Sequence, residues 1–362
     1  MGIFDDRTRR LRGLLTEHGV DLAAIGPTSH MRYLTGGCPH ADERFSVLFV
    51  DATGAQLVVP ALNADAVASF TPVPILAWED AQGPLPALRS SIAAGRRVGK
   101  IAVDGAMRAD FLLPLISVFK PGEIVSVDPI LAVLRRRKSP GEIEALARSA
   151  GQADRAVAAV LAAVKPGVTE KSLAWEAEKA FRALGAERVS FTLVAFGPNA
   201  AHPHHASGDK ALERGECVLV DIGATLDGYQ SDVTRMAFLG EPPGEFLRVY
   251  GAVREALRAG IEAVKPGRPL RDVDGAARSV IEEAGYGGRF IHRTGHGIGL
   301  DVHEAPWVTA ENDEPVEEGM VFSVEPGVYL TGKFGIRIED IVAVGPEGPR
   351  TLTRSTRDLV VL

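Results

Sequence analysis

Asp221 and Asp232 are the first residues of this chain whose type and spacing point to chemistry. They lie in Val218-Leu-Val-Asp-Ile-Gly-Ala-Thr-Leu-Asp-Gly-Tyr-Gln-Ser-Asp-Val-Thr-Arg235. The Asp227-Gly228 pair reads as a two-residue turn between two short strands. Such a loop sets Leu226 opposite Tyr229, Gly223 opposite Asp232 and Asp221 opposite Thr234. The two aspartates then project from one face as diagonal neighbours, about 7–8 Å apart at the backbone. Carboxylates converging on a largely apolar hairpin repel each other unless a cation sits between them. The first expectation is therefore a metal site.

Other stretches supply candidate ligands. Asn199-Ala-Ala-His-Pro-His-His-Ala206 holds His202, His204 and His205, and Phe290-Ile-His-Arg-Thr-Gly-His-Gly-Ile-Gly-Leu-Asp-Val-His-Glu304 holds His292, His296 and His303. Glycines on both sides of His296 are expected to let its backbone approach a ligand or metal closely. The run is not a phosphate loop, because no Lys-Ser/Thr follows it. Glu325 ends the apolar run Met320-Val-Phe-Ser-Val-Glu325, and Glu339 shares a strand face with Arg337 in Gly335-Ile-Arg-Ile-Glu-Asp-Ile-Val-Ala-Val344. Ionisable groups in such strands rarely point into a core unless paired or metal-bound. Each acid alone reads as a solvent-facing or salt-bridged group. Together with Asp221, Asp232 and His296 they form a set of four carboxylates and one imidazole, which suits two divalent ions of the Mn²⁺, Co²⁺ or Fe²⁺ type. Thiolate-rich zinc chemistry does not fit, since Cys217 has no partner thiol.

Elements to position these residues follow from the rest of the chain. At 362 residues two domains are expected. A leading helix over 4–18 ends at Gly19. Strand-like runs follow at Leu22–Ile25, Ser46–Val50, Gln56–Val59, Val73–Ala77 and Lys100–Val103, with helical segments around Asn63–Ser69, Pro84–Ala94 and Ala106–Phe119. The alternation says α/β. Leu134-Arg-Arg-Arg-Lys-Ser-Pro-Gly-Glu142 is the boundary candidate. Its basic cluster reads as solvated surface, and Ser139, Pro140 and Glu142 open a long helix running to about Val164. Ala163-Val-Lys-Pro-Gly167 recurs as Ala263-Val-Lys-Pro-Gly267. Each copy sits between two helices, the second ending near Gly185 or Gly285, so two similar α/β units related by a pseudo-twofold are expected.

Composition narrows the class. A net charge of -7 argues against a general nucleic-acid binder. Two cysteines, Cys38 and Cys217, make no disulfide framework and point to a reducing compartment. The N-terminal residues show no apolar signal core or myristoylation pattern, and no run of about 18 apolar residues occurs. The expectation is a soluble cytoplasmic protein with no membrane partner.

At the residues quoted above, the sequence resembles the pita-bread metallopeptidases: methionine aminopeptidase, aminopeptidase P, prolidase and the metal-free creatinase relatives. It is most similar to the Xaa-Pro peptidase branch. The likeness runs from about residue 140 onward, and the first half is compatible with the creatinase/prolidase N-terminal domain. The resemblance implies a mixed α/β (α+β) architecture, with a creatinase-like domain over 1–134 and a pseudo-twofold pita-bread catalytic domain over 135–362. It makes Asp221, Asp232, His296, Glu325 and Glu339 the ligands of two divalent ions, Mn²⁺ foremost, with Co²⁺, Fe²⁺ or Zn²⁺ as alternatives. Asp232 and Glu339 bridge, Asp221 completes one ion, and His296 with Glu325 completes the other. Xaa-Pro peptide-bond hydrolysis by a metal-bridging hydroxide is then expected, with Glu325 as proton shuttle. His204 and His303 match substrate-facing histidines that orient the scissile carbonyl, and His292 lies near the proline pocket. Arg337, and with it Tyr329, supports the ligands from behind. A homodimer is implied as well. Creatinase relatives lack the full ligand set, and methionine aminopeptidases usually lack so large an N-terminal domain.

One departure bears on substrate. Archaeal prolidases carry an arginine a few residues after the equivalent of His303, where this chain has Trp307. Prolidases confined to dipeptides need a cation for the substrate carboxylate. The expected substitute is Arg44, in Leu34-Thr-Gly-Gly-Cys-Pro-His-Ala-Asp-Glu-Arg-Phe45, acting in cis or from a partner subunit, with Asp42 holding it or meeting the substrate amine. The reading is an Xaa-Pro dipeptidase acting on small proline-containing peptides. The alternatives are an aminopeptidase P acting on longer peptides, or a non-catalytic pita-bread binding protein.

Overall fold

A computed structural model describes residues 2–362. The chain forms two compact units, one ending at Arg135 and the other spanning Arg136–Leu362. The first is a six-stranded mixed sheet. Its strand order is Ile75–Trp78, Ala55–Pro60, Val47–Val50, Leu22–Ile25, Lys100–Val103 and Glu123–Ser126. The two central strands, Leu22–Ile25 and Val47–Val50, are buried throughout, which is why they read as unbroken apolar runs. Phe49, Val58, Ile101, Phe111 and Leu115 complete this core. Three elements here had no signal in the sequence reading: the helices Ser29–Thr35 and Asp128–Arg135 and the edge strand Glu123–Ser126.

The second unit is built twice over. The helix Pro140–Ala162 starts with a reciprocal cap: the Glu142 carboxylate accepts from Ser139 N at 2.9 Å, and the Ser139 hydroxyl accepts from Glu142 N at 3.4 Å. With Glu170–Ala183 it covers a sheet made of Arg188–Phe196, Glu216–Leu226, Val233–Leu239 and Val360–Val361, around Val157, Phe181, Val220 and Val233. Helices Gly244–Ala263 and Arg271–Glu283 pack with a second sheet, comprising Glu304–Val308, Gly295–Gly297, Val321–Val324, Asp340–Gly345 and Gly348–Thr351, around Leu257, Ile281, Phe322 and Val342. The repeated Lys-Pro-Gly turns are tied alike. Gly167 N donates to Leu212 O and Gly267 N to Val316 O, both at 2.8 Å.

The basic cluster at the boundary corrects the solvated-surface reading in part: Arg137 is exposed, but Arg135 and Lys138 are not. Lys138 is buried, and its ammonium lies 2.9 Å from the nearly buried Glu304 carboxylate. Four neighbouring cations read as surface by composition alone, but the β-bridge of Arg137 with Met320 draws this segment into the unit. No described helix is long and apolar enough to cross a membrane.

Candidate metal centre and active site

The aspartate hairpin has the register the turn dictates. Thr234 pairs with Asp221, and Leu226 pairs with Tyr229. Asp227 and Gly228 both adopt positive φ, 52° and 82°, as a twist-matched two-residue loop requires. Asp221 and Asp232 thus come from the first sheet. His296 lies in the strand Gly295–Gly297 of the second, Glu325 directly follows its strand Val321–Val324, and Glu339 directly precedes its strand Asp340–Gly345. Each half of the repeat contributes part of one cluster.

The glycines beside His296 have a different purpose from the one expected. A Cβ on Gly295 would lie 1.8 Å from Ser323 O, and one on Gly297 would lie 2.4 Å from Ala305 O. They let neighbouring strands close in on His296, rather than admitting a ligand to its backbone.

Asp232, His296 and Glu339 offer donor atoms that all lie within 4.8 Å of one another. His296 Nδ1 donates to Gly297 O at 3.1 Å, so Nε2 carries the lone pair. That nitrogen lies 3.6 Å from Asp232 Oδ2 and 3.3 Å from Glu325 Oε1. Burial, with the neighbouring His303, pushes its pKa down to about 3 and keeps it a neutral donor. The acids behave in the opposite sense. Burial and then the charges of Glu339, Asp221 and Glu325 drive Asp232 well above the carboxylate range, and burial with Glu325 and Asp221 does the same to Glu339. Burial pushes Glu325 up to about 7 against the opposing Arg337 charge. Asp221 Oδ1 and Glu339 Oε1 are buried without a hydrogen-bond partner. Four acids in one another's field, a bare imidazole nitrogen and two orphaned oxygens fit divalent cations.

A chain of polar contacts holds this set from behind. Arg337 pairs with Asp221, donates to Thr234 Oγ1 at 3.2 Å and donates to Tyr329 Oη at 2.8 Å. Thr234 in turn donates to Glu339 Oε2 at 2.8 Å, which links the two sheets. Tyr329 Oη donates to His292 Nε2 at 2.8 Å, while His292 Nδ1 donates to Arg293 O at 2.7 Å. Both nitrogens of His292 are thereby used, and burial lowers its pKa to about 4. His292 faces the cavity as a neutral ring with no free donor.

Asp221, Asp232, His296, Glu325 and Glu339, with Arg337 and His292, line a cavity of about 730 Å³ whose wall also includes His204, His205, His303, Phe191, Leu193 and Val302. The His303 ring centroid lies 4.2 Å from that of His296. All lining residues belong to the second unit, so Arg44 and Asp42 are not among them. Arg44 lies in the first unit with carboxylates of Asp80, Glu43 and Asp42 around its guanidinium, at 3.3, 3.2 and 3.7 Å. Tyr329 supports the wall through Arg337 and His292 rather than lining it.

Sequence reasoning missed Arg293 and Thr234. Arg293 lines the cavity, and its guanidinium lies 4.4 Å from the centre of the Trp307 ring. The signal was present: an arginine follows His292 directly. A search confined to positions after His303 passes it by. Thr234 was legible as the residue facing Asp221, but its bond to Glu339 depends on the approach of the other sheet.

Comparison with known proteins agrees with this geometry. Residues 144–346 match the model of metallopeptidase family M24, and residues 7–137 match the creatinase/prolidase N-terminal domain. The chain is 38% identical to a probable dipeptidase PepE of Mycobacterium tuberculosis, covering 97% of this chain and 92% of that one. It is 31% identical to an Xaa-Pro dipeptidase of Pyrococcus furiosus, covering 98% and 99%. The crystal structure of a prolidase from Thermococcus sibiricus superposes with a TM-score of 0.94 at 34% identity over the whole of both chains. With the pita-bread architecture of these relatives and a buried carboxylate–imidazole cluster at its centre, the chain belongs to metallopeptidase family M24 and is a hydrolase.

Proposed function

We propose that this enzyme hydrolyses Xaa-Pro dipeptides, releasing the N-terminal residue, with two divalent ions, manganese foremost, held by Asp221, Asp232, His296, Glu325 and Glu339. Ions bound there lower the pKa of water and stabilise negative charge on the scissile carbonyl oxygen. Glu325, beside His296 and hydrogen-bonded to the Ser323 hydroxyl at 3.2 Å, takes the proton of the attacking water and delivers it to the proline nitrogen. His204 and His303 donate to the carbonyl oxygen as charge gathers on it. Phe191, Leu193, Val302 and the neutral face of His292 enclose the apolar parts of the substrate. Arg337 keeps Asp221 oriented through the reaction.

The observation that carries the dipeptide reading is Arg293. It lines the cavity with its guanidinium steadied by the Trp307 ring and, among the described residues, by no carboxylate ion pair. A dipeptide's terminal carboxylate, one residue past the scissile bond, supplies the missing anion. Names of relatives agree, since the P. furiosus protein is an Xaa-Pro dipeptidase.

The test compares an Xaa-Pro dipeptide, its C-terminal amide and an Xaa-Pro-Yaa tripeptide. Wild type is expected to prefer the free dipeptide to the amide by roughly 100-fold in kcat/KM, and Arg293→Ala to erase most of that preference. Faster turnover of the tripeptide, with Arg293→Ala neutral, establishes the aminopeptidase P reading instead. Arg44→Ala in the same assay reads the alternative anchor, where a matching loss moves the role to the N-terminal loop. The proposal extends to a cytoplasmic homodimer. The unpaired cysteines Cys38 and Cys217 support a reducing compartment, the family resemblance supports the dimer, and light scattering at the monomer mass would exclude it.

A further inference from the structure

Glu170 opens the helix Glu170–Ala183 and is inaccessible to solvent. Its partners lie on the segment that brings His204 to the cavity. Oε1 accepts from Phe196 N and Asn199 Nδ2, both at 2.9 Å. Oε2 accepts from Gly208 N at 3.0 Å and from His205 Nε2 at 2.8 Å. Four donors on two oxygens leave no room for an amide, which would turn an N–H₂ against other donors. Burial alone would push this carboxyl up, yet its pKa is lowered, because His205, Gly208, Asn199 and Phe196 outweigh desolvation. The loop from 196 to 208 is pinned at four points by one charge.

The other half of the repeat holds a counterpart. Asp274, in the first turn of Arg271–Glu283, is also inaccessible. It accepts from Arg278 Nε and Nη2, both at 2.9 Å, and from the Thr294 hydroxyl at 2.7 Å. Arg278 then donates to Phe290 O at 3.2 Å and His292 O at 3.1 Å, with its guanidinium 4.3 Å from the Phe290 ring centre. Thr294 O accepts from Glu325 N at 2.8 Å. This clamp fixes residues 290–294, which carry His292 and Arg293.

Buried charges of this kind stabilise a fold no better than well-packed apolar residues of similar size. Their partners here are in each case the segment behind one part of the cavity wall. We propose that Glu170 and Asp274 are paired positioning residues, one from each half of the repeat. Glu170 sets the place of His204. Asp274, through Arg278 and Thr294, sets the place of His292 and Arg293. The kinetic consequences rest on the functional reading above, in which His204 meets the carbonyl oxygen and Arg293 the carboxylate.

Glu170→Gln and Asp274→Asn of the full chain test this by steady-state kinetics, bound-metal analysis and amide hydrogen exchange. Glu170→Gln is expected to lower kcat by roughly 10–100-fold with KM within about threefold. Asp274→Asn is expected to raise KM roughly tenfold with kcat within about threefold. Exchange should quicken over 196–208 in the first and over 290–294 in the second, with metal content unchanged. Wild-type kinetics with wild-type exchange overturn the proposal. So does exchange that rises throughout the catalytic unit, because that is the mark of a general stabilising role. Should either variant fail to fold, Asn199→Ala and Thr294→Val each remove one bond of a clamp and decide by the same split at smaller amplitude. A wild type inactive on Xaa-Pro dipeptides defeats the functional reading, and the exchange pattern alone then decides the clamps.

Discussion

Asp232→Asn will lower kcat/KM on an Xaa-Pro dipeptide by roughly a thousandfold, and Asp221→Asn by roughly a hundredfold. The difference comes from how the two carboxylates are committed. Asp221 gives one oxygen to Arg337, which leaves Oδ1 for a cation. Asp232 faces the other three acids at once: Glu339, Asp221 and Glu325 all raise its pKa. On the proposed assignment Asp232 serves both ions, whereas Asp221 serves one. Metal analysis of the two variants checks the assignment, since Asp232→Asn should empty the site and Asp221→Asn should leave it partly filled. Equal losses would show that the two aspartates have equivalent places.

Removing metal will invert the usual dependence of stability on pH. Asp232, Glu325 and Glu339 have native pKa values above those of an unfolded chain, Glu325 reaching about 7. Without cations the native state holds protons that the unfolded state has already released. That contribution is present at low pH and is lost as pH rises from the unfolded carboxylate range through the native values. The chelator-treated chain should therefore melt lower at about pH 8 than at about pH 5.5. Divalent cations take the place of those protons, so adding Mn²⁺ should raise the melting temperature by roughly 5 °C or more at the higher pH, and by less at the lower. Calorimetry under the four conditions reads this directly. A melting temperature indifferent to chelator at about pH 8 would contradict a site built to hold cations.

Local chemistry made parts of this molecule readable in advance. Asp227-Gly228 dictated a hairpin register that the strands keep from Leu226 to Asp221. Ser139 and Glu142 marked a helix start through their reciprocal cap. The duplicated Lys-Pro-Gly turn announced two similar halves, each with its helix pair and sheet. What stayed hidden depends on distant segments meeting. Lys138 looks like surface until Glu304 arrives beside it, and Arg293 looks like loop until Trp307 lies under it. Glu170 and Asp274 are ordinary early-helix acids in one dimension, where a negative charge favours the helix start. Only the return of the 196–208 and 290–294 segments to those helices gives them partners. The helix Ser29–Thr35 escaped because its seven residues span barely two turns, short of the roughly 11-residue window in which a helical period can be read, although Thr28 caps it.

Counting the ions bound to the chain while it turns over an Xaa-Pro dipeptide tests the central claim most directly. The chelator-treated protein is titrated with Mn²⁺, and bound metal and released proline are measured on the same samples. Binding should saturate at about two ions per chain, with proline release rising as the sites fill. Dipeptide hydrolysis by metal-free protein, or none from a chain with both sites filled, would contradict it.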